Sequence, residues 1–218
     1  MKVQLLDKMG SDLTVVNSAR VSFDKHSDVV SEKDAKLIKY LAKHGHWSPF
    51  AHCFAQFRIS APIFVARQLA KHQVGLSWNE VSRRYVSSEP DFYLPKKFRQ
   101  STDDKKQGSS DREVANPEAV KKAVVECYAW ALNAYEELMA VDNVCEEQAR
   151  MVLPLGVETE WIWSGSLYAF SRVCIQRLKP DAQEETREVV QLIANELSME
   201  FPESWVALVL EGDEDDAD

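Results

Sequence analysis

Residues 53–72, CFAQFRISAPIFVARQLAKH, contain the change from strand to helix that decides the fold. Within 53–59 every second side chain, from Cys53 to Ile59, is apolar and falls on one side of an extended chain, whereas Arg58 falls on the other. Pro62 then has a fixed φ and no N–H, which suits the first turn of a helix that should run to about His72. A strand that passes directly into a helix indicates a fold with both kinds of element.

The rest of the chain extends this α+β pattern, with a mixed sheet and flanking helices that do not strictly alternate with the strands. Apolar side chains at helical spacing and period-two alternation predict the remaining elements. They are strands at 3–6 and 157–163, helices at 31–44, 117–139, 144–150, 166–177 and 183–200, and a polar loop at 95–115. No internal repeat or shift in composition marks a boundary, so we expect one domain over residues 1–210.

The charge of the chain is concentrated at its end. The formal net charge is −9, from 26 basic and 35 acidic residues among 218. Residues 211–218 hold six of the acids, which predicts a solvated, disordered acidic tail and a body close to neutral. An acidic chain is a poor nonspecific partner for nucleic acid, and we expect none.

Several classes of protein are excluded by what the sequence lacks. No apolar run approaches the roughly 20 residues of a membrane span, and residues 1–13 lack the apolar core of a signal peptide. The four cysteines are widely scattered, so we interpret them as reduced core thiols of a cytoplasmic protein. With seven glycines and no dinucleotide-binding or Walker-type glycine motif, any bound phosphate must be held mainly by side chains.

The segment 62–85, PIFVARQLAKHQVGLSWNEVSRRY, concentrates polar groups on an otherwise apolar helix. Arg67 and Lys71 are i,i+4 neighbours, as are Gln68 and His72, so the four form one stripe. An amphipathic surface helix followed by a solvated loop would explain this pattern. The alternative is an anion site, because cations rarely enter an apolar segment unless an anion such as a phosphate meets them.

A histidine cluster and two arginines stand outside that segment. The histidines of KHGHWSPFAH (43–52) have no nearby carboxylate or thiolate, so packed imidazoles in a polar turn are favoured over a zinc site. Trp47 and Phe50 could form a wall against a flat ring. Arg150 and Arg177 each lie near a helix end, where the helix dipole is a sufficient structural explanation. We expect Trp161 and Trp163 to belong to the core.

Five blocks in order resemble the flavin-dependent thymidylate synthases: NSARVSFD (17–24), KHGHWSPFAH (43–52), APIFVARQLAKHQ (61–73), NEVSRRY (79–85) and ARMVLPLG (149–156). This resemblance implies a homotetramer of mixed α and β subunits that share active sites. It also implies reductive methylation of dUMP to dTMP, with FAD as cofactor and no protein nucleophile. Methylenetetrahydrofolate would supply the carbon, and NADPH, as the reduced nicotinamide, the hydride.

The resemblance assigns roles to residues by their place in these motifs. Arg177 matches the catalytic arginine that faces the uracil ring and favours its ionised form. The dUMP-binding positions are Gln68, Lys71, Glu80, Val81, Ser82, Arg83, Arg84, Arg150 and Arg177. The FAD-binding positions are His46, Ser48, Lys71, His72, Gln73, Glu80 and Arg172. No metal is expected.

The chain departs from the family at several of these positions. The family motif Arg-His-Arg, seven residues and Ser stands here as Lys71-His72-Gln73, eight residues and Ser82, which removes two guanidinium groups. Ser166, Tyr168 and Arg172 occupy places where Asn, Arg and Asn are frequent, and Asp181 that of a flavin-contacting His. We expect Arg172 to restore the missing charge.

Two other functions fit the same residues. One is a nucleotide- or nucleic-acid-binding module that keeps the fold without redox chemistry. The other is a flavoenzyme acting on a related pyrimidine nucleotide. It stays open because no sequence feature indicates which residues contact C5 of the base or the 2′ position of the sugar.

Overall fold

A computed structural model describes residues 1–86, 88–102 and 109–210, and its centre is a four-stranded sheet. The strands are β1 (Lys2–Met9), β2 (Phe54–Pro62), β3 (Leu76–Glu80) and β4 (Glu158–Ser166). They lie in the order β1-β2-β4-β3, and each pairing is antiparallel. The α+β class is confirmed, with the correction that the described sheet is antiparallel rather than mixed.

The two central strands bury one face of the sheet. Along β2 the predicted alternation is confirmed, since Ala55, Phe57 and Ile59 are at most 3% exposed. Trp161 and Trp163 of β4 are buried on the same face, as expected of core residues. Full burial of a large apolar side chain contributes about 1.5–3 kcal/mol, so this face is the main stabilising feature of the sheet.

Nine helices surround the sheet in the described part of the chain. They are α1 (Asp12–Arg20), α2 (Glu32–Lys43), α3 (Ser48–Ala51), α4 (Ile63–Leu69), α5 (Pro117–Ala140), α6 (Glu146–Ala149), α7 (Leu167–Arg177), α8 (Glu184–Glu200) and α9 (Pro202–Trp205). Short 3₁₀ segments cover Val21–Phe23 and Arg150–Val152, and Val206–Leu210 is a π-helix. The predicted helices α2, α5, α7 and α8 are confirmed.

Local sequence signals explain where several helices begin and end. Ser31 and Asp34 form the expected capping box of α2, and that helix ends before Gly45, whose φ is +66°. The side chain of Asn116 accepts a hydrogen bond from the N–H of Ala119 and caps α5. Ser166 does the same for α7, so the last residue of β4 fixes the start of the helix that follows.

Three expectations differ from the structure. Pro62 is the N-cap of α4 rather than its first residue, and that helix ends at Leu69 instead of His72. Residues 76–80, interpreted as part of a solvated loop, form edge strand β3. The 95–115 loop contains a bridge between Arg99 and Glu113, while its residues 103–108 and the predicted acidic tail at 211–218 lie outside the described residues.

Helix α5 packs little of its surface against the rest of the subunit. Of its 24 residues, Ala131 and Tyr135 are buried, whereas Trp130 is 71% exposed. Cys127 of this helix and Cys145 before α6 are also exposed, so the prediction of four core thiols holds only for Cys53 and Cys174. No described helix is long and apolar enough to cross a membrane.

Candidate functional site

A cavity of about 690 Å³ lies between α3, the start of β3 and α7. Its walls include two aromatic side chains, Trp47 and Tyr168, whose rings are 6.0 Å apart and tilted by 37°. Trp47 is 54% exposed, so its ring is accessible from the cavity. The expected aromatic wall is therefore present at Trp47, whereas Phe50 is fully buried in the core.

A smaller cavity of about 220 Å³ adjoins the first and brings together four of the predicted residues. Lys71, His72 and Gln73 line it from the segment after α4, and Arg172 lines it from α7. Arg172 also lines the larger cavity, so its guanidinium belongs to both. The sequence placed these four residues at one cofactor, and the fold brings them to one wall although 99 positions separate Gln73 from Arg172.

The turn that forms the common edge of both cavities depends on two glycines. Gly75 has a φ of +76°, and a Cβ there would lie 3.1 Å from the Cβ of Ala169. Across from it, a Cβ on Gly165 would lie 2.4 Å from Cδ2 of Leu76 and 2.6 Å from the carbonyl oxygen of Gly75. The close approach of β3 to β4 therefore requires a residue without a side chain at 165.

Arg177 is in direct contact with His72. Its Nε–H donates a hydrogen bond to Nε2 of the imidazole over 2.9 Å, and both residues are partly buried. Burial lowers the pKa of His72 from its usual value, and the positive charges of Arg177 and Arg172 lower it further. Both effects favour the neutral imidazole beside the guanidinium that the family resemblance assigns to the reacting base.

The two arginines of α7 differ from Arg20, Arg58 and Arg99 in having no carboxylate partner among the described residues. Arg20, Arg58 and Arg99 each form an ion pair with a carboxylate. Within the described part of the chain, neither Arg172 nor Arg177 forms an ion pair. Arg172 also makes no hydrogen bond there, whereas Arg177 bonds to His72. Arg172 lines both cavities, so its guanidinium is available to an anion bound there.

Glu80 is fixed by two donors at the far end of β3. Its Oε2 accepts a hydrogen bond from Nε1 of Trp78 over 3.1 Å, and its Oε1 accepts one from the hydroxyl of Thr159 over 2.8 Å. The Trp78 ring in turn stacks on Trp161, with centroids 4.5 Å apart. The carboxylate is therefore exposed but held in one orientation by the sheet.

The residues after Glu80 leave the sheet as an exposed turn. The N–H of Val81 donates to the carbonyl of Glu160 over 2.9 Å and closes the strand. The Ser82 hydroxyl accepts hydrogen bonds from the backbone N–H and the Nε of Arg84, over 3.3 and 3.4 Å. Arg83 donates to the carbonyl of Ser88. No histidine of the described chain activates Ser82, so the structure provides no nucleophilic arrangement there.

The predicted substrate residues do not all meet within one subunit. Leu76 and Glu80 lie at opposite ends of β3, which separates their backbones by roughly 13 Å. Arg150 is exposed in the 3₁₀ segment after α6, where its Nε donates to the carbonyl of Glu147 over 3.2 Å. Glu80 and Arg150 are absent from the lining of both cavities around Arg172.

The contacts of Gln68 and of the histidine cluster at residues 43–52 could not be predicted from the sequence. Gln68 contacts the side chain of Gln183, whose amide also donates to Glu185 over 3.0 Å. His44 stacks on Tyr40 with ring centroids 4.0 Å apart, and His46 and Ser48 are exposed on either side of Trp47. No group of three potential metal ligands occurs within residues 1–86, 88–102 and 109–210.

Sequence reasoning missed Thr159 and Gln183, which touch predicted site residues. Alternation along β4 places Thr159 on the face of Trp161, but only the pairing of β3 with β4 brings it to Glu80. Gln183 is the N-cap of α8 and carries no sequence signal that distinguishes it from other helix caps. The departures at Ser166, Tyr168 and Arg172 are not scattered, because all three line the larger cavity.

Comparisons with known proteins identify the family of the chain. The Thy1 family model, described as thymidylate synthase complementing protein, matches residues 4–203. A flavin-dependent thymidylate synthase of Thermus thermophilus is 39% identical over 216 residues, which cover 96% of this chain and 77% of that protein. The protein of the same name from Thermosipho africanus is 33% identical, and the match covers 97% of this chain and 93% of the relative.

A solved structure provides a similar backbone. The crystal structure of a UMP/dUMP methylase, PolB from Streptomyces cacaoi, bound with 5-Br dUMP, superimposes with a TM-score of 0.84 at 27% identity. The match covers 94% of this chain and 93% of the other. From the family match and the nearly full-length relatives, we conclude that this chain belongs to the Thy1 family, the flavin-dependent thymidylate synthases.

Proposed function

We propose that the protein catalyses the reductive methylation of dUMP to dTMP, with FAD as cofactor, methylenetetrahydrofolate as carbon donor and NADPH as reductant. The observation that carries the proposal is the pair of adjoining cavities around Arg172. One has aromatic walls suited to a flat ring, and the other has cationic and amide side chains without carboxylate partners. This combination matches the two halves of a flavin dinucleotide, a planar ring system and a diphosphate.

The residues present fit FAD despite the departures from the family motif. Lys71, Gln73 and Arg172 face the smaller cavity, so Arg172 supplies a guanidinium fork where positions 71 and 73 lack one. We assign FAD binding to these three residues together with His46, Ser48, His72 and Glu80. When bound, the flavin supplies the hydride that reduces the transferred carbon unit.

The chain itself binds and polarises the nucleotide. We assign the phosphate and sugar to residues of α4 and the segment after it, of the end of β3 and its following turn, and of the segment after α6. These are Gln68, Lys71, Glu80, Val81, Ser82, Arg83, Arg84 and Arg150. Arg177 stabilises negative charge on the pyrimidine, and loss of a comparable preorganised donor costs about 2.7–4 kcal/mol in barrier height. Ser82 contributes binding rather than attack, because its hydroxyl meets only Arg84 in the described structure.

We further propose that two or more subunits complete each site within a homotetramer. Glu80 and Arg150 line neither cavity, which supports a site whose flavin-side and nucleotide-side residues come from neighbouring copies. The exposed apolar side chains of α5, among them Val125 and Trp130, provide a surface for such contact. The acidic composition and free cysteines are compatible with a cytoplasmic enzyme that does not bind nucleic acid.

A second candidate is methylation of the ribonucleotide UMP. It is favoured by the similarity in structure to a UMP/dUMP methylase. The two nucleotides differ only at the 2′ position, so parallel assays with dUMP and UMP distinguish the candidates.

Absorption spectroscopy and product analysis test the proposal. The purified protein is expected to be yellow, to bleach with NADPH in the absence of oxygen, and to form dTMP when folate and dUMP are added. Arg172→Ala should weaken FAD binding at least tenfold, because it removes the guanidinium shared by both cavities. Arg112→Ala is the control, since that arginine is exposed and lines neither cavity. A colourless protein that binds no added FAD would exclude the function.

A further inference from the structure

The contact between Arg177 and His72 fixes the chemical state of both side chains. A guanidinium Nε–H can only donate, so the imidazole Nε2 that receives it at 2.9 Å must carry no proton. A neutral imidazole with an unprotonated Nε2 has its proton on Nδ1. The hydrogen bond therefore selects one tautomer of His72.

The same contact leaves the rest of the guanidinium available. Nε is occupied by His72, while the two terminal nitrogens of Arg177 have no hydrogen-bond partner in the described part of the chain. Together these two nitrogens form one edge of a planar fork, which can bind an oxygen and an adjacent nitrogen or oxygen of a ligand. A side chain held at Nε presents that edge in a defined direction.

The charged groups around His72 favour its neutral state. Arg172 and Arg177 face it from α7, Lys71 precedes it in its own segment, and no carboxylate pairs with it among the described residues. Partial burial acts in the same direction, because it disfavours a charged imidazole.

We propose that His72 is a positioning residue for the reaction: as the Nδ1–H tautomer it holds Nε of Arg177 and directs the two terminal nitrogens toward the pyrimidine. This role rests on the proposed function and is additional to contact with the flavin. It makes the orientation of the catalytic cation dependent on the protonation of a neighbouring side chain.

The dependence on pH follows from the geometry. Protonated His72 would place an N–H opposite the N–H of Arg177 and a positive charge beside it, so the contact would be lost. Activity should therefore be complete above the pKa of His72 and fall as the pH decreases through it. Since that pKa is lowered from 6.5, the acidic limb of kcat/KM is expected below pH 6.5.

Nuclear magnetic resonance tests the contact without any turnover. In ¹⁵N-histidine-labelled protein, the His72 signals, assigned by their loss in His72→Gln, should show an unprotonated Nε2 at pH 7. Arg177→Ala should raise the pKa of His72, because it removes both a donor to Nε2 and a nearby positive charge. Observation of the Nε2–H tautomer at pH 7 would overturn the proposal, whether or not the protein makes dTMP.

Kinetics test the consequence. Gln can place its side-chain oxygen where Nε2 lies. At saturating FAD, His72→Gln should therefore lose the acidic limb and turn over about tenfold faster than His72→Leu, whose side chain cannot accept from Arg177. FAD affinity is measured in parallel, because loss of flavin alone would lower activity without changing the pH profile of the loaded enzyme. His26→Gln, in an exposed loop, is the control. An acidic limb that persists in active His72→Gln would refute the positioning role.

Discussion

Substitution of Gly165 by alanine tests whether the close contact of β3 with β4 sets the shape of the cofactor cavity. The added Cβ would lie 2.6 Å from the Gly75 oxygen and 2.4 Å from Cδ2 of Leu76, about 1 Å inside normal contact distance. Leu76 can rotate its side chain, but the carbonyl of Gly75 accepts the N–H of Ser166 and cannot move freely. The backbone of the turn must therefore shift.

The size of the effect follows from these contacts. Overpacking of this kind costs about 1–3 kcal/mol, and weakening the bond to Gly75 adds about 0.5–1.5 kcal/mol. We expect Gly165→Ala to lose roughly 2–4 kcal/mol of the free energy of unfolding, which leaves the protein folded if its stability is typical. Because Gly75 and Leu76 line the larger cavity, FAD affinity should fall at least tenfold.

Urea unfolding and flavin titration measure the two effects separately. Ser164→Ala is the matched control in the same strand, since it removes only the partner of the Gln56 amide at 2.9 Å and should cost about 1 kcal/mol without changing FAD affinity. Unchanged stability and unchanged FAD binding in Gly165→Ala would refute the reasoning. Lower stability with unchanged FAD binding would show that the turn does not shape the cofactor site.

Three further substitutions probe other parts of the molecule. Asp12→Ala should cost roughly 3–6 kcal/mol in urea unfolding, because the buried carboxylate accepts two backbone N–H groups at the start of α9 over 3.0 and 2.9 Å; a loss below about 1 kcal/mol would contradict this. Arg84→Ala should mainly raise the KM for dUMP, whereas Arg177→Ala should mainly lower kcat. Steady-state kinetics that show the reverse would contradict the binding role of Arg84 and the catalytic role of Arg177. Ser82→Ala should retain measurable turnover, and complete loss of activity with intact nucleotide binding would restore a nucleophilic role.

The fold could be predicted where the local sequence pattern and the tertiary environment agree. The alternation of β2, the apolar periodicity of α5 and the capping box of α2 are each visible within one short stretch of the sequence. Strand β3 could not be found in this way, because it is an edge strand whose Ser77, Asn79 and Glu80 are exposed and read as a polar loop. Its identity as a strand comes from pairing with β4, more than 80 residues later.

The candidate site shows the same division. The family resemblance assigned Lys71, His72, Gln73 and Arg172 to the flavin, and the structure brings these four residues to one cavity. It did not identify the bond between His72 and Arg177, because a contact across 105 residues has no signature in either segment. For Arg177 the helix dipole and catalysis remained equal explanations on sequence alone.

The shallow packing of α5 links its stability to protein concentration. A helix that buries two of its 24 side chains draws little stabilisation from its own subunit, and its long apolar surface is energetically costly in water. If that surface is covered by a neighbouring copy, mass action sets how much of the helix is ordered. Dilution would then disorder α5 before the sheet unfolds, and the enzyme would lose its shared sites while each monomer kept its core.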